Sequence, residues 1–380
     1  MRFSAEVMRR PDQGEGKHYE RERREEMLTR SLRGRDFITL RDFSKHEIVT
    51  ILETALALKT DYGIGKPHKV LDGRTLFMIF FNPSMRTRNS FEAGMFQLGG
   101  HAHFLEPGAT RVPSLEGEDV AYKTERISDV ARTLNGMGDG ISIRILGDVV
   151  GWEHDKGLRI IKEFAKWADI PVINMEDNIY HPCQGVADVM TMWELFGRDL
   201  RGLKIGVAWT FSGSTKKPIA PHHDVMYAAS YFGPNIVYAK PPEMRIDPDV
   251  EAAIKVNVEA NGGTYRVSDR FEDAFADADI VYAKNHVCLD LLPPVQARPR
   301  HEEMGKLFAK YTHWTADAKH MKMGKDHVKY MHCLPCERTQ EVADEVMDSP
   351  KWAAVWTEAE NRLHGQKAIM ALIMQPTGLP

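Results

Sequence analysis

Residues 75–88 read TLFMIFFNPSMRTR. Thr75 to Phe81 is an apolar run, as a strand buried on both faces requires, and strands of that kind belong to parallel sheets covered by helices. The run stops at Asn82-Pro83. A helical pattern follows (Phe91, Met95, Phe96, Leu98) and Gly99-Gly100 ends it, as helix stops do. Strand, Ser/Arg/Thr turn and helix N-terminus make an anion-binding layout, because free backbone N–H groups and the helix dipole favour a phosphate there. Hydroxyls of Ser84 and Thr87 add donors, and Arg86 can grip oxygens bidentately. A capped helix with two solvated arginines, Arg86 and Arg88, satisfies the same residues, so this motif alone leaves both readings open.

Outward from this stretch the chain alternates. Lys45 to Thr60 has helical spacing, with Ile48, Ile51, Leu52, Ala55 and Leu58 on one side. Further strands are expected at 101–105, 140–145 and 171–174, with helices at 123–137, 155–167 and Gly185–Phe196. A second series has strands at Leu203–Trp209, Asn235–Ala239, Asp279–Ala283, Tyr311–Trp314 and Val328–Cys333. Its helices fall at about 222–232, 247–261, 299–310 and 340–347, and an amphipathic segment runs from Glu358 to Met374. Repeated β-α units imply parallel sheets covered by helices, and two series imply two doubly wound α/β domains. The expected division is a charged arm over 1–35, a first domain over 36–180, a second over 181–355, and a C-terminal helix over 356–380 packing back on the first. In such folds the ligand sits beyond the carboxyl ends of the strands.

Composition narrows the class. The 380 residues are 43% hydrophobic and 27% charged with a net charge of −4, which excludes a general nucleic-acid binder or a polybasic membrane protein. No apolar run approaches the roughly 20 residues that span a bilayer. The charged N-terminus lacks the apolar core of a secretory signal. Four cysteines (Cys183, Cys288, Cys333, Cys336) make no disulfide framework in this length, and the single C-x-x-C has no second pair to complete a zinc site. The expectation is a protein of the reducing cytoplasm, with no metal.

Two more motifs lie at strand ends. In His181-Pro182-Cys183-Gln184, His181 can donate to a carbonyl oxygen and Gln184 can bind an amide NH2; a structural histidine before a proline fits as well. His332-Cys333-Leu334-Pro335 reads by itself as a buried cysteine and a turn proline. His222, His223, His286 and His364, like the seven tryptophans, read as packing residues.

Taken together, Ser-x-Arg-Thr-Arg, His-Pro-x-Gln and His-Cys-Leu-Pro, in this order and at domain-scale spacing, resemble the signature set of the aspartate/ornithine carbamoyltransferase family. Arg144 in Ile-Ser-Ile-Arg and Glu360-Asn361-Arg362 extend the likeness, which covers about residues 36 to 375. Asn82 to Arg88, Phe96-Gln97-Leu98-Gly99-Gly100-His101, Val172 to Glu176 and Glu360 to His364 look like the acylornithine transcarbamylase branch. Those relatives carry a trefoil knot in the second domain, at a proline-containing loop that Thr210–Pro221, with Lys216-Lys217-Pro218, resembles.

The resemblance implies a chemistry. The phosphate of carbamoyl phosphate would sit on Ser84, the Met85 backbone, Arg86 and Thr87, with Arg362 approaching it. Arg144 would bind phosphate and carbonyl oxygen, His181 would polarise that oxygen, and Gln184 with the backbone of Cys333 and Leu334 would hold the NH2. Arg86, Arg144 and His181 are then the catalytic candidates. The departing phosphate can take the proton, so no cofactor is implied. The family also implies a homotrimer, with a loop at about Pro107–Lys123, including Arg111 and Lys123, reaching a neighbouring site.

The amine is read from fewer residues. The Ser-Met-Gly loop of ornithine users is absent. Where acetylornithine enzymes have an Arg and a Lys after His-Cys-Leu-Pro, Glu337 and Glu341 stand. Such charge reversal weighs against an N-acylornithine. Glu176, Lys284, Cys333, Glu337 and Glu341 are the amine-side candidates, suited to a small zwitterion. General likeness to relatives of purine catabolism makes ureidoglycine, cleaved with phosphate to give carbamoyl phosphate, the first expectation. N-acetyl- or N-succinylornithine in arginine biosynthesis, and a non-catalytic binding paralogue, are the alternatives.

Overall fold

The computed structural model describes residues 32–106 and 111–375. Most of the expected charged arm (1–31), the start of the Pro107–Lys123 loop and the last five residues lie outside the described residues.

Helix α1 (Lys45–Gly63) opens with Ser44 as N-cap, its Oγ accepting from Glu47 N, and turns Ile48, Ile51, Leu52, Ala55 and Leu58 inward. Strand β1 (Thr75–Phe80) feeds helix α2 (Met85–Gln97), and β2 (His101–Leu105) returns beside it. Two short strands, β3 (Val112–Ser114) and β4 (Thr124–Arg126), pair with each other. Helix α3 (Ile127–Asn135), β5 (Gly140–Arg144), α4 (Lys156–Trp167), β6 (Val172–Glu176) and α5 (Pro182–Phe196) follow. The second series is β7 (Lys204–Trp209), α6 (Ala220–Ser230), β8 (Asn235–Ala239), α7 (Pro248–Ala260), β9 (Thr264–Ser268), β10 (Ile280–Lys284), α8 (His301–Phe308), β11 (Lys329–Met331) and α9 (Val355–Ile373).

All strand pairs are parallel. One sheet has the order β2-β1-β5-β6 and the other β11-β10-β7-β8-β9, the expected two doubly wound units. Alternation along β1 explains its apolar run: Leu76, Met78 and Phe80 enter the core beneath α1 and α9, whereas Phe77 and Ile79 join Ile127, Ile161 and Phe164 on the opposite face. Each such side chain contributes about 1.5–3 kcal/mol on burial. Helix α9 packs against α1, α2 and α5.

Several expected elements differ. Tyr311–Trp314 is no strand but a 3-10 turn and its exit. Its apolar side chains serve ring packing instead: Trp314 lies 6.3 Å from Trp209 and 5.0 Å from Phe271 between centroids. Strand β9 was not expected, because at the sheet edge its side chains are mostly exposed and carry no apolar run. The segment expected as helix 123–137 divides into β4 and α3, and 340–347 shrinks to the single turn Asp344–Met347. Of the apolar residues in the helical pattern after Arg88, Phe91, Met95 and Leu98 are buried and Phe96 is 80% exposed.

Candidate active site

The carboxyl ends of β1, β5, β6, β10 and β11 converge on one cavity of about 510 Å³ between the two units. Ser84, Met85, Arg86, Thr87, Arg144, Glu176, His181, Lys284, Cys333, Leu334, Glu337 and Arg362 all line it. Ten of these come from the three motifs and the strand ends singled out in the sequence, so segments up to 278 residues apart meet here.

One side of the cavity is built on the first turn of α2. Ser84, the N-cap, accepts from Thr87 N at 3.3 Å and donates to Thr87 Oγ1 at 2.9 Å. Arg362 arrives from α9, donating through Nη2 to Thr87 Oγ1 at 3.1 Å and through Nη1 to Gln184 Oε1 at 2.7 Å. Burial lowers the pKa of Arg86 and of Arg362, yet a guanidinium stays charged. Arg86 has no ion pair among the described residues. The Nε atoms of Arg144 and Arg362 and Nδ1 of His181 are buried without a partner among those residues. Such groups carry a desolvation cost that an anionic, oxygen-rich ligand removes.

Beside them, Arg144 pairs with Glu176, and His181 Nε2 lies 3.4 Å from Glu176 Oε2. Burial, reinforced by Arg362, Arg144 and Arg86, holds His181 well below the usual histidine range. It is therefore a neutral imidazole at pH 7, able to donate one hydrogen bond. Its backbone N–H is anchored on Asp224. Burial pushes the Cys333 thiol up to about 12, so this sulfur is no nucleophile.

Gln184 and Glu341 do not line the cavity. Gln184 sits behind Arg362: its Nε2 donates to Asp188 Oδ1 at 2.6 Å and Glu358 Oε1 at 2.9 Å, leaving Oε1 to accept from Arg362. Glu341 is fully buried. Its Oε2 accepts from Lys217 Nζ at 2.9 Å and Glu337 N at 2.7 Å, and its Oε1 from Asn285 N at 2.8 Å. Burial pushes its pKa up, but His332, whose Nε2 lies 3.6 Å from Oε1, together with Lys284 and Lys217, outweighs this and holds the carboxyl far below the usual range. Glu341 is thus a post within the wall, with no oxygen turned to a ligand. Of the pair that reverses charge after His-Cys-Leu-Pro, Glu337 alone meets the cavity.

The wall also contains residues that sequence reasoning had not assigned: Asp148, Trp152, Lys216 and Lys217. Lys216 Nζ bridges to Asp148 Oδ2 at 2.7 Å, and Trp152 Nε1 donates to Asp148 Oδ1 at 2.8 Å, joining the two units at the cavity mouth. Lys216-Lys217 lay in the quoted proline loop, whereas nothing in the sequence separated Trp152 from core tryptophans. His222, His223, His286 and His364 are buried outside the cavity. Arg111 and Lys123 are exposed away from it. No cluster of three or more potential metal ligands occurs among the described residues.

Two family models match the chain: "Aspartate/ornithine carbamoyltransferase, carbamoyl-P binding domain" over residues 35–194, and "Aspartate/ornithine carbamoyltransferase, Asp/Orn binding domain" over residues 213–373. An ornithine carbamoyltransferase of Thermococcus kodakarensis is 38% identical over 345 residues, covering 90% of this chain and 98% of the relative. An N-acetylornithine carbamoyltransferase of Xanthomonas axonopodis pv. citri is 36% identical over 354 residues, covering 90% and 97%. Among solved structures, a variant of N-acetyl-L-ornithine transcarbamylase complexed with carbamyl phosphate and N-succinyl-L-norvaline superposes with a TM-score of 0.82 at 35% identity, covering 89% of this chain and 99% of the other.

Proposed function

The chain belongs to the aspartate/ornithine carbamoyltransferase family and is a carbamoyltransferase; we propose that it transfers the carbamoyl group of carbamoyl phosphate to the side-chain amine of an ornithine-class amino acid, ornithine or an Nα-acyl form of it. The relatives described above carry ornithine or N-acetylornithine in their names, not ureidoglycine, and this favours arginine biosynthesis over the purine catabolism suggested by general likeness.

The observation that carries the reading is three guanidinium side chains lining one cavity: Arg86, which has no ion pair among the described residues, and Arg144 and Arg362, whose buried Nε atoms have no partner among them. The first turn of α2 with Ser84, Arg86 and Thr87 would hold the phosphate. A neutral amine would attack the carbonyl carbon, and Arg144, neutral His181 and Thr87 Oγ1 would stabilise the tetrahedral oxyanion. The C–O bond to phosphate then breaks, and the departing phosphate takes the proton from nitrogen. Holding two reactants in one cavity supplies on the order of 7–11 kcal/mol of the barrier reduction in favourable cases. Backbone carbonyls near Cys333 and Leu334 would accept from the carbamoyl NH2. Gln184 would act through Arg362, which occupies its carbonyl oxygen.

A panel assay tests the reading. Carbamoyl phosphate is offered with ornithine, N-acetylornithine, N-succinylornithine, putrescine or aspartate, and phosphate release is followed; ureidoglycine with phosphate runs alongside. Turnover confined to ornithine-class amines is expected, and turnover of ureidoglycine alone overturns it. No described helix is long and apolar enough to cross a membrane. On the family likeness we propose a cytoplasmic homotrimer whose 107–123 loop completes a neighbour's site; light scattering reads the oligomer.

A further inference from the structure

Charges on the cavity wall largely cancel in pairs. Arg144 is paired with Glu176, and Lys216 with Asp148. Lys217 Nζ is 2.9 Å from buried Glu341 and 3.6 Å from Glu337, so its charge is already committed to Glu341. Arg86 and Arg362 stand at the α2 turn with the anion donors. On the wall of the second unit, one cation has no carboxylate within ion-pair distance among the described residues, and one carboxylate, Glu337, shares Lys217 with Glu341 at the longer distance. Lys284, at the end of β10, donates to Asn285 O at 3.0 Å and has no carboxylate partner among the described residues. Glu337 accepts from Ser212 Oγ and retains acceptor capacity on both oxygens.

Glu341 ties these two residues together. It accepts from the N–H of Asn285, next to Lys284, and from the N–H of Glu337 itself. Lys284 and Glu337 therefore ride on one buried carboxylate and present opposite charges to the same cavity. A free α-amino acid head group, with its carboxylate and ammonium, matches that pair. An Nα-acylated head group does not, since acylation removes the ammonium and leaves the Glu337 carboxylate facing a neutral amide.

We propose that Glu337 is the specificity-determining residue of the amine end: it accepts the α-ammonium of the substrate while Lys284 takes the α-carboxylate, so the enzyme selects a free α-amino acid over its Nα-acyl form. This rests on the ornithine-class reading and chooses between its two members.

The experiment compares the full-length wild type with Glu337→Gln, saturating in carbamoyl phosphate, against three amines: ornithine, N-acetylornithine, and 5-aminopentanoate, which lacks the α-nitrogen. In the wild type, kcat/KM for ornithine should exceed that for N-acetylornithine at least 100-fold. Glu337→Gln should lower the ornithine value 10- to 100-fold, chiefly through KM, and change the other two by less than threefold. A residue that merely supports the wall would lower all three together, and that pattern overturns the proposal. So does a wild type that prefers N-acetylornithine. If neither ornithine nor N-acetylornithine is turned over, the ornithine-class reading fails and the proposal with it. Ornithine turnover whose selectivity is indifferent to Glu337→Gln removes the proposal alone.

Discussion

Arg362 Nη1 donates to Gln184 Oε1 at 2.7 Å, joining residues 178 positions apart in the fully buried wall behind the α2 turn. The contact is one-directional by construction. Both Nε2 hydrogens of Gln184 are taken by Asp188 and Glu358, so only its carbonyl can face Arg362. The same guanidinium reaches Thr87 Oγ1, and so α9 sets the position of the α2 turn. Arg362→Leu leaves Gln184 Oε1 buried without a donor, which costs about 1–3 kcal/mol of stability. It also removes a cation from the proposed phosphate side, where loss of one preorganised donor should lower kcat by roughly 100- to 1000-fold. Steady-state kinetics with a denaturant titration separate the two effects.

Arg86 differs in having no protein ion pair among the described residues. Its removal should therefore cost binding and little folding. Carbamoyl phosphate or inorganic phosphate at 100 times its Kd should stabilise the wild type by about 2.7 kcal/mol, seen as a raised melting temperature. Arg86→Ala should melt within a degree or two of the unliganded wild type and show no shift on adding either ligand. A full ligand shift in Arg86→Ala would remove this residue from the anion site.

How much of this was legible in the sequence depends on range. β1 and the α2 turn were readable because burial on both faces and a capped helix start are local properties, and the two parallel sheets, though not their strand orders, followed from β-α alternation. Ser84 and His181 were nameable as chemistry-bearing residues at helix starts, whereas Arg144 and Arg362, the latter in the middle of α9, were named through the family resemblance. What could not be read is which side of the wall a side chain occupies. Gln184 and Glu341 carry suitable groups, yet both point into the interior, because partners far away in sequence (Glu358, Lys217, Asn285) consume their hydrogen-bonding capacity. Lys216 and Asp148 meet only through the docking of the two units.

Glu341 gives this distinction a measurable form. Its carboxylate accepts from one ammonium and two backbone N–H groups in a site without solvent. Glu341→Ala removes the nearer of the two carboxylates beside Lys217 and leaves the Asn285 and Glu337 N–H groups without this acceptor, and breaking a buried pair in this way costs about 3–5 kcal/mol. Urea unfolding should show that loss. A group touching the amine would instead change KM with stability intact, and such a result would return Glu341 to the binding surface.

His223 links the two units and supplies a pH dependence. Its Nδ1 lies 2.7 Å from Ile179 O, before the His181 motif, and its Nε2 accepts from Asp247 N at 3.1 Å, before α7. The carbonyl contact places the proton on Nδ1, so the neutral ring satisfies both partners. Protonating Nε2 would set an N–H against the Asp247 N–H. Burial pushes the pKa down to about 4, whereas the unfolded chain titrates near the ordinary value of about 6.5. Between these values the unfolded state binds the extra proton, so stability rises with pH. The contribution is complete above about 6.5 and is lost as pH falls through 6.5 towards 4. A depression of this size corresponds to about 3 kcal/mol. His223→Gln, whose amide can donate to Ile179 O and accept from Asp247 N, should be less stable than wild type at pH 7.5 and should close that gap as the pH is lowered to 4.5. Unfolding free energies at four pH values give the slope, and a gap independent of pH would show that His223 keeps the same charge in the folded and unfolded chains.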